Sequence, residues 1–277
     1  ICETAHKTGL PLWTPAMPKP NHIDKKRLAG RNTAVDAARK GDDIDLKVVY
    51  FPSCLNQTMG LSKDAPVKET VSQEICKVLN RAGYEVIFPD KMNHLCCGQI
   101  WESKGMMDIA DRKTAELEEA LWKASEGGRY PVICDQSPCL HRMRKLITRM
   151  KLYEPVEFII KYVQQHLTFH PVNRTVAVHI TCSMREMGLG DELISLAEKC
   201  ATQVVVPEGV GCCGFAGDKG FNRPEMNKYA LRHLKPEIMK HHAVVGYSNS
   251  RTCEIGLQYH SGIPYMSIVY LVDEATR

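Results

Sequence analysis

The chain has 277 residues, 44% hydrophobic and 25% charged, a composition that excludes disorder and fibrous structure. A formal charge of +4 is spread without a basic run, so nothing favours nucleic acid or an anionic membrane surface. The longest apolar stretch, around residues 268–272, falls far short of the roughly 20 residues that span a bilayer, which excludes a transmembrane segment. At about 150 residues per domain the length predicts two units, each able to bury its own core. The start, Ile1-Cys2-Glu3-Thr4, has neither an initiating Met nor a signal-peptide pattern, so the chain is expected to be part of a longer polypeptide.

Residues 1–45, with Pro11, Pro15, Pro18 and Pro20, predict an extended arm with a short helix near 33–40 and Trp13 as a candidate anchor. The apolar run 46–51 predicts a buried strand that stops at Pro52-Ser53-Cys54. Asp64 then offers an N-cap and Pro66 a first-turn residue for a helix whose apolar positions Val67, Val71, Ile75, Val78 and Leu79 recur until Gly83. A strand over 84–88 follows, then Cys96-Cys97-Gly98, a long helix over 106–125, and a strand over 130–133 that runs into Cys134 and Cys139.

The order then repeats. A strand over 175–180 leads to Cys182, a helix covers 191–201, a strand 203–206, and Cys212-Cys213-Gly214 precedes a helix over 224–242 and a strand over 243–247 leading to Cys253. Cys54 and Cys182 are 128 positions apart, Cys96 and Cys212 are 116, and Cys139 and Cys253 are 114. The prediction is an α/β fold of two like units, 46–170 and 171–277, with cysteine-bearing loops at the C-terminal ends of the strands.

The 12 cysteines are too dilute for a disulfide scaffold, which needs roughly 8–10%, and a chain this long folds without staples. Loops at the same strand ends converge, as ligand sites in open α/β sheets do. They collect Cys54, Cys96, Cys97, Cys134 and Cys139 in one set and Cys182, Cys212, Cys213 and Cys253 in the other. Adjacent cysteines are poorly placed to pair with each other but can both supply thiolates to a multinuclear centre. Gly98 and Gly214 would let the backbone approach that centre and aim N–H groups at its sulfurs. An iron–sulfur centre is therefore expected in the first set, and a four-cysteine cluster or zinc in the second. Cys76 and Cys200 are expected in the core and Cys2 unligated. His94, His141 and His179 are expected as core or supporting residues, and Arg142, Arg144, Lys145, Lys219 and Arg223 as surface charges.

This twofold pattern of a lone Cys, Cys-Cys-Gly and a closing Cys resembles the cysteine-rich CCG domain family, which includes the CCG-bearing component of heterodisulfide reductase and the iron–sulfur components of glycolate oxidase and lactate utilisation. The segments Trp13-Thr14-Pro15-Ala16-Met17-Pro18, Gly211-Cys212-Cys213-Gly214-Phe215-Ala216-Gly217-Asp218 and 248–257, with the ending 267–274, resemble the C-terminal region of bacterial FAD-linked oxidases of the D-lactate and D-2-hydroxyglutarate dehydrogenase type. The family motif closes in Cys-x-x-Cys, whereas Gln136 and Ser250 stand three positions before Cys139 and Cys253 here.

The resemblance implies a 4Fe-4S centre in the first site and an electron-transfer role. An upstream FAD domain would oxidise a 2-hydroxy acid, a ferredoxin-like segment would follow, and this region would pass electrons to an acceptor such as a quinone. It implies a cytoplasmic oxidoreductase, with a peripheral place at the inner face of the membrane as a variant, whose isolated C-terminal part is inactive on substrate. Thiol/disulfide catalysis at the first cluster and a zinc-stabilised docking domain are the alternatives.

Overall fold

Lys47–Phe51 (β2) shows why this chain builds a parallel sheet: from Val48 onward every residue is buried, on both faces of the strand. Val48 and Tyr50 point to one side and Val49 and Phe51 to the other, joining two separate apolar clusters. This is a computed structural model, and it describes residues 17–23, 28, 46–62 and 65–277. The helix expected over 33–40, Trp13, Cys2 and the Asp64 cap lie outside the described residues.

Pro18–Pro20 (β1) pairs antiparallel with Met59–Ser62 (β3), so that part of the expected arm lies as an edge strand where a proline-rich segment is tolerated. Around β2 the first sheet adds Glu85–Ile87 (β4), Val132–Cys134 (β5) and Leu152–Tyr153 (β6), in the order β4-β2-β5-β6 and all parallel. The second consists of Val172–Val178 (β7), Ala201–Val205 (β8), Val245–Ser248 (β9) and Tyr265–Ser267 (β10), in the order β8-β7-β9-β10 and also parallel. Even the register repeats: Tyr50 faces Ile133 as Val178 faces Tyr247. The α/β class and the two like sheet units are thus present.

Between the sheets lies one shared core. Val48, Tyr50, Val176 and Val178 enter it, with the helices Val71–Arg81, Gly190–Cys200 and Ile268–Ala275. The apolar run near the C-terminus is this last helix, buried nearly all round. Met107–Ala124 and Ser137–Leu146 cover the outer face of the first sheet; Leu234–Lys240 and Arg251–Ser261 cover that of the second. Cys76 and Cys200 pack in the shared core. Among the described residues no helix is long and apolar enough to cross a membrane.

Two expected boundaries move. The first helix starts at Val71 rather than near Pro66, because Thr70 and Gln73 form a capping box, with Thr70 N–H donating to Gln73 Oε1 at 2.8 Å. The single helix expected over 224–242 breaks in two, since Pro236 has no N–H for the carbonyl of Arg232 and its ring would clash there.

The C-terminal helix is tied to Val71–Arg81 by a buried charge group. Asp273, 1% exposed, accepts from Arg81 Nη2 at 2.7 Å and from Arg277 Nε at 2.8 Å. Beside it is Glu74, equally buried, which meets Lys77 Nζ at 3.2 Å. Burial, then the neighbouring Asp273 carboxylate, push Glu74 from 4.5 up to about 7. The folded chain therefore keeps a proton that the unfolded chain releases near pH 4.5, and stability drains away as pH rises from there to about 7. Asp273 is shifted down and titrates below this window. E74Q, which keeps a donor toward Asp273, should match the parent at pH 5 and exceed it at pH 8 by about 1–3 kcal/mol in urea unfolding. A gap that is equal at both pH values would refute the shared-proton account.

Candidate metal centres

Each predicted cysteine lies at or just past the C-terminal end of its sheet. Ser53 caps Cys54–Thr58 by accepting from Asn56 N–H, and Thr181 caps Cys182–Glu186 by accepting from Met184 N–H, so Cys54 and Cys182 are both first helical residues. Cys139 and Cys253 are third residues of Ser137–Leu146 and Arg251–Ser261. Cys134 is the last residue of β5. Thiols in first helical turns lie near N–H groups that have no intrahelical partner, a setting that favours thiolate.

The Cys-Cys-Gly turns are built alike. Gly98 N–H donates to Cys96 Sγ at 3.4 Å and Gly214 N–H to Cys212 Sγ at 3.3 Å; Phe215 N–H adds a bond to Cys213 Sγ at 3.4 Å. Gly98 has φ +87° and Gly214 φ +69°. A Cβ on Gly98 would stand 2.4 Å from Ala110 O, and one on Gly214 2.7 Å from Met226 O. The turn therefore needs glycine for its dihedral and for the close helix behind it, in addition to the N–H groups it aims at sulfur.

In the first unit the thiols follow one another as Cys54, Cys96, Cys97, Cys139 and Cys134, each after the first shifting the ionisation of the one before it. The second repeats the chain as Cys182, Cys212, Cys213 and Cys253, with Cys213 Sγ 2.9 Å from Cys253 Sγ. All nine predicted residues are brought into these two groups, and the 11 described cysteines are free thiols.

Crowding decides which can ionise. Cys96 is pushed down to about 3 by donation from Cys54 and Cys97, and Cys212 to about 2 by Cys182 and Cys213. Cys253 falls to about 5 through Cys213, with His179 assisting. Their neighbours move up: Cys54 and Cys182 because they donate to those thiolates, Cys139 through Cys134 and Cys97, and Cys213 through Cys212 and Cys253. Cys97 is pulled down by Cys139, but Cys96 and burial win and raise it. Two thiolates about 4 Å apart repel by about 4 kcal/mol at an effective dielectric constant of 20, so full deprotonation of either set requires cations among the sulfurs. The donor chemistry fits a thiolate-bound metal or iron–sulfur centre.

Several neighbours depart from expectation, His94 among them, since it is exposed rather than in the core. Arg142, expected at the surface, is 4% exposed and donates Nε to Cys97 O at 3.1 Å and Nη2 to Asp111 at 2.6 Å, with Glu102 also paired to it. Thr114 Oγ1 donates to the same carbonyl at 2.8 Å. The positions equivalent to Asp111, Thr114 and Arg142 are Asn227, Ala230 and Gly256, and there Asn227 Nδ2 alone donates to Cys213 O, at 2.5 Å. No local sequence signal marks Arg142; only the fold brings it to Cys97. Arg144 is half-buried against Glu157, whereas Lys145, Lys219 and Arg223 are exposed as expected. Among the histidines, His94 is exposed and His141 Nε2 lies 3.0 Å from Glu186 across the unit junction. His179 instead joins the second thiol set: a ring nitrogen and the Sγ atoms of Cys213 and Cys253 lie within 4.8 Å of one another.

The two sets adjoin. Ser137 N–H and Oγ donate to Asn249 O at 3.3 and 3.0 Å, Gln136 Nε2 to Ser250 Oγ at 2.9 Å, and Arg251 N–H to Gln136 Oε1 at 3.1 Å. The segments carrying Cys139 and Cys253 thus touch directly. Because G98A adds both a strained dihedral and a backbone clash, it should cost about 2–5 kcal/mol in chemical unfolding. G105A, at φ +77° with open space around it, should cost only about 1–2 kcal/mol. Equal losses would discredit the steric argument.

The cysteine-rich CCG domain model matches residues 48–144 and 176–258, and the two matches contain all nine cysteines of the two sets. Lactate utilization protein A 1 of Bacillus mycoides (strain KBAB4) is 24% identical over 189 residues, covering 61% of this chain and 74% of that protein. With matches over more than half its length, one on each thiol-bearing sheet unit, the chain belongs to the cysteine-rich CCG domain family.

Proposed function

We propose that this chain is an iron–sulfur electron-transfer module of a 2-hydroxy-acid oxidation system of the lactate type. The observation that supports the reading is the direct contact between the segments bearing Cys139 and Cys253, which puts the two sets of thiols next to each other. The relative named for lactate utilization supports the substrate class. The finer assignment is a 4Fe-4S centre held by Cys54, Cys96, Cys97, Cys134 and Cys139, and a second cluster or zinc held by Cys182, Cys212, Cys213 and Cys253. An FAD domain and a ferredoxin-like segment of the same polypeptide would supply electrons, and an acceptor such as a quinone would take them, in a cytoplasmic protein able to lie at the inner membrane face. The working units are 46–170 and 171–277, with 1–45 as the connecting arm.

An iron–sulfur centre supplies one-electron exchange. The chain's own residues hold the thiolates, direct the N–H groups of Gly98, Gly214 and Phe215 at their sulfurs, and keep bulk water from Cys97, Cys134, Cys139 and Cys213. Half-buried Cys54 and Cys96 and exposed Cys182 and Cys212 give each centre a face toward solvent where a partner can exchange electrons. A fifth thiol in the first set favours a second reading, thiol/disulfide chemistry at that centre.

Protein purified without air should contain iron and acid-labile sulfide in comparable amounts and absorb broadly in the visible. C97A should lose the iron of the first centre, and the chain alone should not oxidise D-lactate or D-2-hydroxyglutarate. Zinc without sulfide would replace this reading with a docking domain. A disulfide-dependent change in the first centre's EPR signal would favour the thiol/disulfide alternative.

A further inference from the structure

We propose that His179 is a direct metal ligand of the second centre, supplying an imidazole nitrogen where the first centre has the thiolate of Cys134. The inference rests on reading the two thiol sets as metal centres. Without His179 their donor counts differ: five thiols converge in the first unit and four in the second. The position equivalent to Cys134 is Ser248, and its Oγ is spent on the backbone, donating to His179 O at 3.1 Å.

The missing donor is found across the same rung of the sheet. In the first unit Phe51 of β2 is in register with Cys134 of β5. In the second, Val178 of β7 is in register with Tyr247 of β9, and His179 N–H donates to Tyr247 O at 2.9 Å, so the next rung sets His179 beside Ser248. An aromatic residue and a donor have exchanged strands: Phe51 and Cys134 in one unit, His179 and Ser248 in the other. Donor placement is restored because both positions on that rung lie at the strand ends that the thiols surround.

The imidazole is built in rather than passing by. His179 is 2% exposed, and its Nε2 has no hydrogen-bond partner among the described residues. A ring nitrogen lies within 4.8 Å of the Sγ atoms of Cys213 and Cys253, where a metal ion shared with them would take it as a donor. A mixed imidazole–thiolate set carries one negative charge fewer than an all-thiolate set. It suits a structural zinc ion or an iron–sulfur centre of raised potential, the effect known when His replaces Cys.

The test uses the full chain, purified anaerobically with 15N-histidine, as the parent and as H179A, H179C and C134S. If the second centre holds iron, pulsed EPR of the reduced parent should show coupling to an imidazole nitrogen, absent from H179A and H179C and kept in C134S. If it holds zinc, X-ray absorption should report nitrogen among the sulfur ligands of the parent and an all-sulfur shell in H179C. H179A should weaken metal retention against a chelator by tenfold or more at one site, and H179C should recover it. No nitrogen signature in the metal-loaded parent, or one that survives H179A, would overturn the proposal. Zinc with nitrogen but no sulfide would reject the cluster reading and keep His179 as a ligand; iron and sulfide with all-sulfur ligation would do the reverse.

Discussion

Everything near the strand ends answers one electrostatic constraint: four or five ionisable thiols drawn into one neighbourhood cannot all be thiolates unless positive charge is placed among them. The chain resolves it in part by itself. One thiol of each Cys-Cys pair, Cys96 or Cys212, draws donation from its neighbours and the following glycine N–H, Cys253 is lowered through Cys213, and Cys54, Cys97, Cys139, Cys182 and Cys213 are pushed up and hold their protons. Loading a metal or cluster would expel those protons, so affinity at either centre is bound to rise with pH. First helical turns, left-handed glycines and strand ends are the means by which an ordinary α/β fold holds donors that would otherwise repel one another.

The duplicated frame is strict where it fixes backbone and permissive where it fixes charge. Gly98 and Gly214 meet the carbonyls of Ala110 and Met226, and the equivalence extends to the next turn at Thr114 and Ala230. At the third supporting position it ends. Arg142 places a buried guanidinium on the carbonyl of Cys97, its counter-ions Asp111 and Glu102 lying toward solvent. In the second unit Gly256 stands in its place, and a Cβ there would come within 2.5 Å of the Asn227 amide that has taken over the contact. One centre is thus supported by a cation and the other by a neutral amide, so the same fold presents two different fields to its thiolates.

Much of this was legible in the sequence because the relevant signals are local. Short apolar runs leading into cysteine-bearing turns marked β2, β5, β7 and β9, and the recurring order of strands and cysteines, at offsets of 128, 116 and 114, revealed the duplication. What escaped depended on contacts distant in sequence. The helices Ser137–Leu146 and Ile268–Ala275 have weak or uniform apolar patterns and owe their place to the sheets they cover. Arg142 reads as one of three surface cations after Cys139 until Cys97, 45 positions earlier, is brought to it. His179 reads as a core histidine at the end of an apolar strand. Only the register of β7 against β9 reveals that it stands on the rung where the other unit keeps a cysteine.

The shared core then determines how the two centres can behave together. Val48 and Tyr50 of one sheet and Val176 and Val178 of the other belong to a single apolar cluster, which the C-terminal helix completes. Arg81 reaches from the first unit to Asp273 on that helix, and Tyr270 returns a hydrogen bond to Glu69 O at 2.8 Å. Sliding the units past each other would expose this apolar surface at about 25 cal/mol per Å² and take Arg81 away from the buried Asp273 carboxylate. The Gln136–Ser250 contact at the opposite end is therefore not a hinge. A fixed separation between two thiolate centres is what electron exchange between them requires, whereas a binding site that closes on its substrate needs freedom that this packing denies.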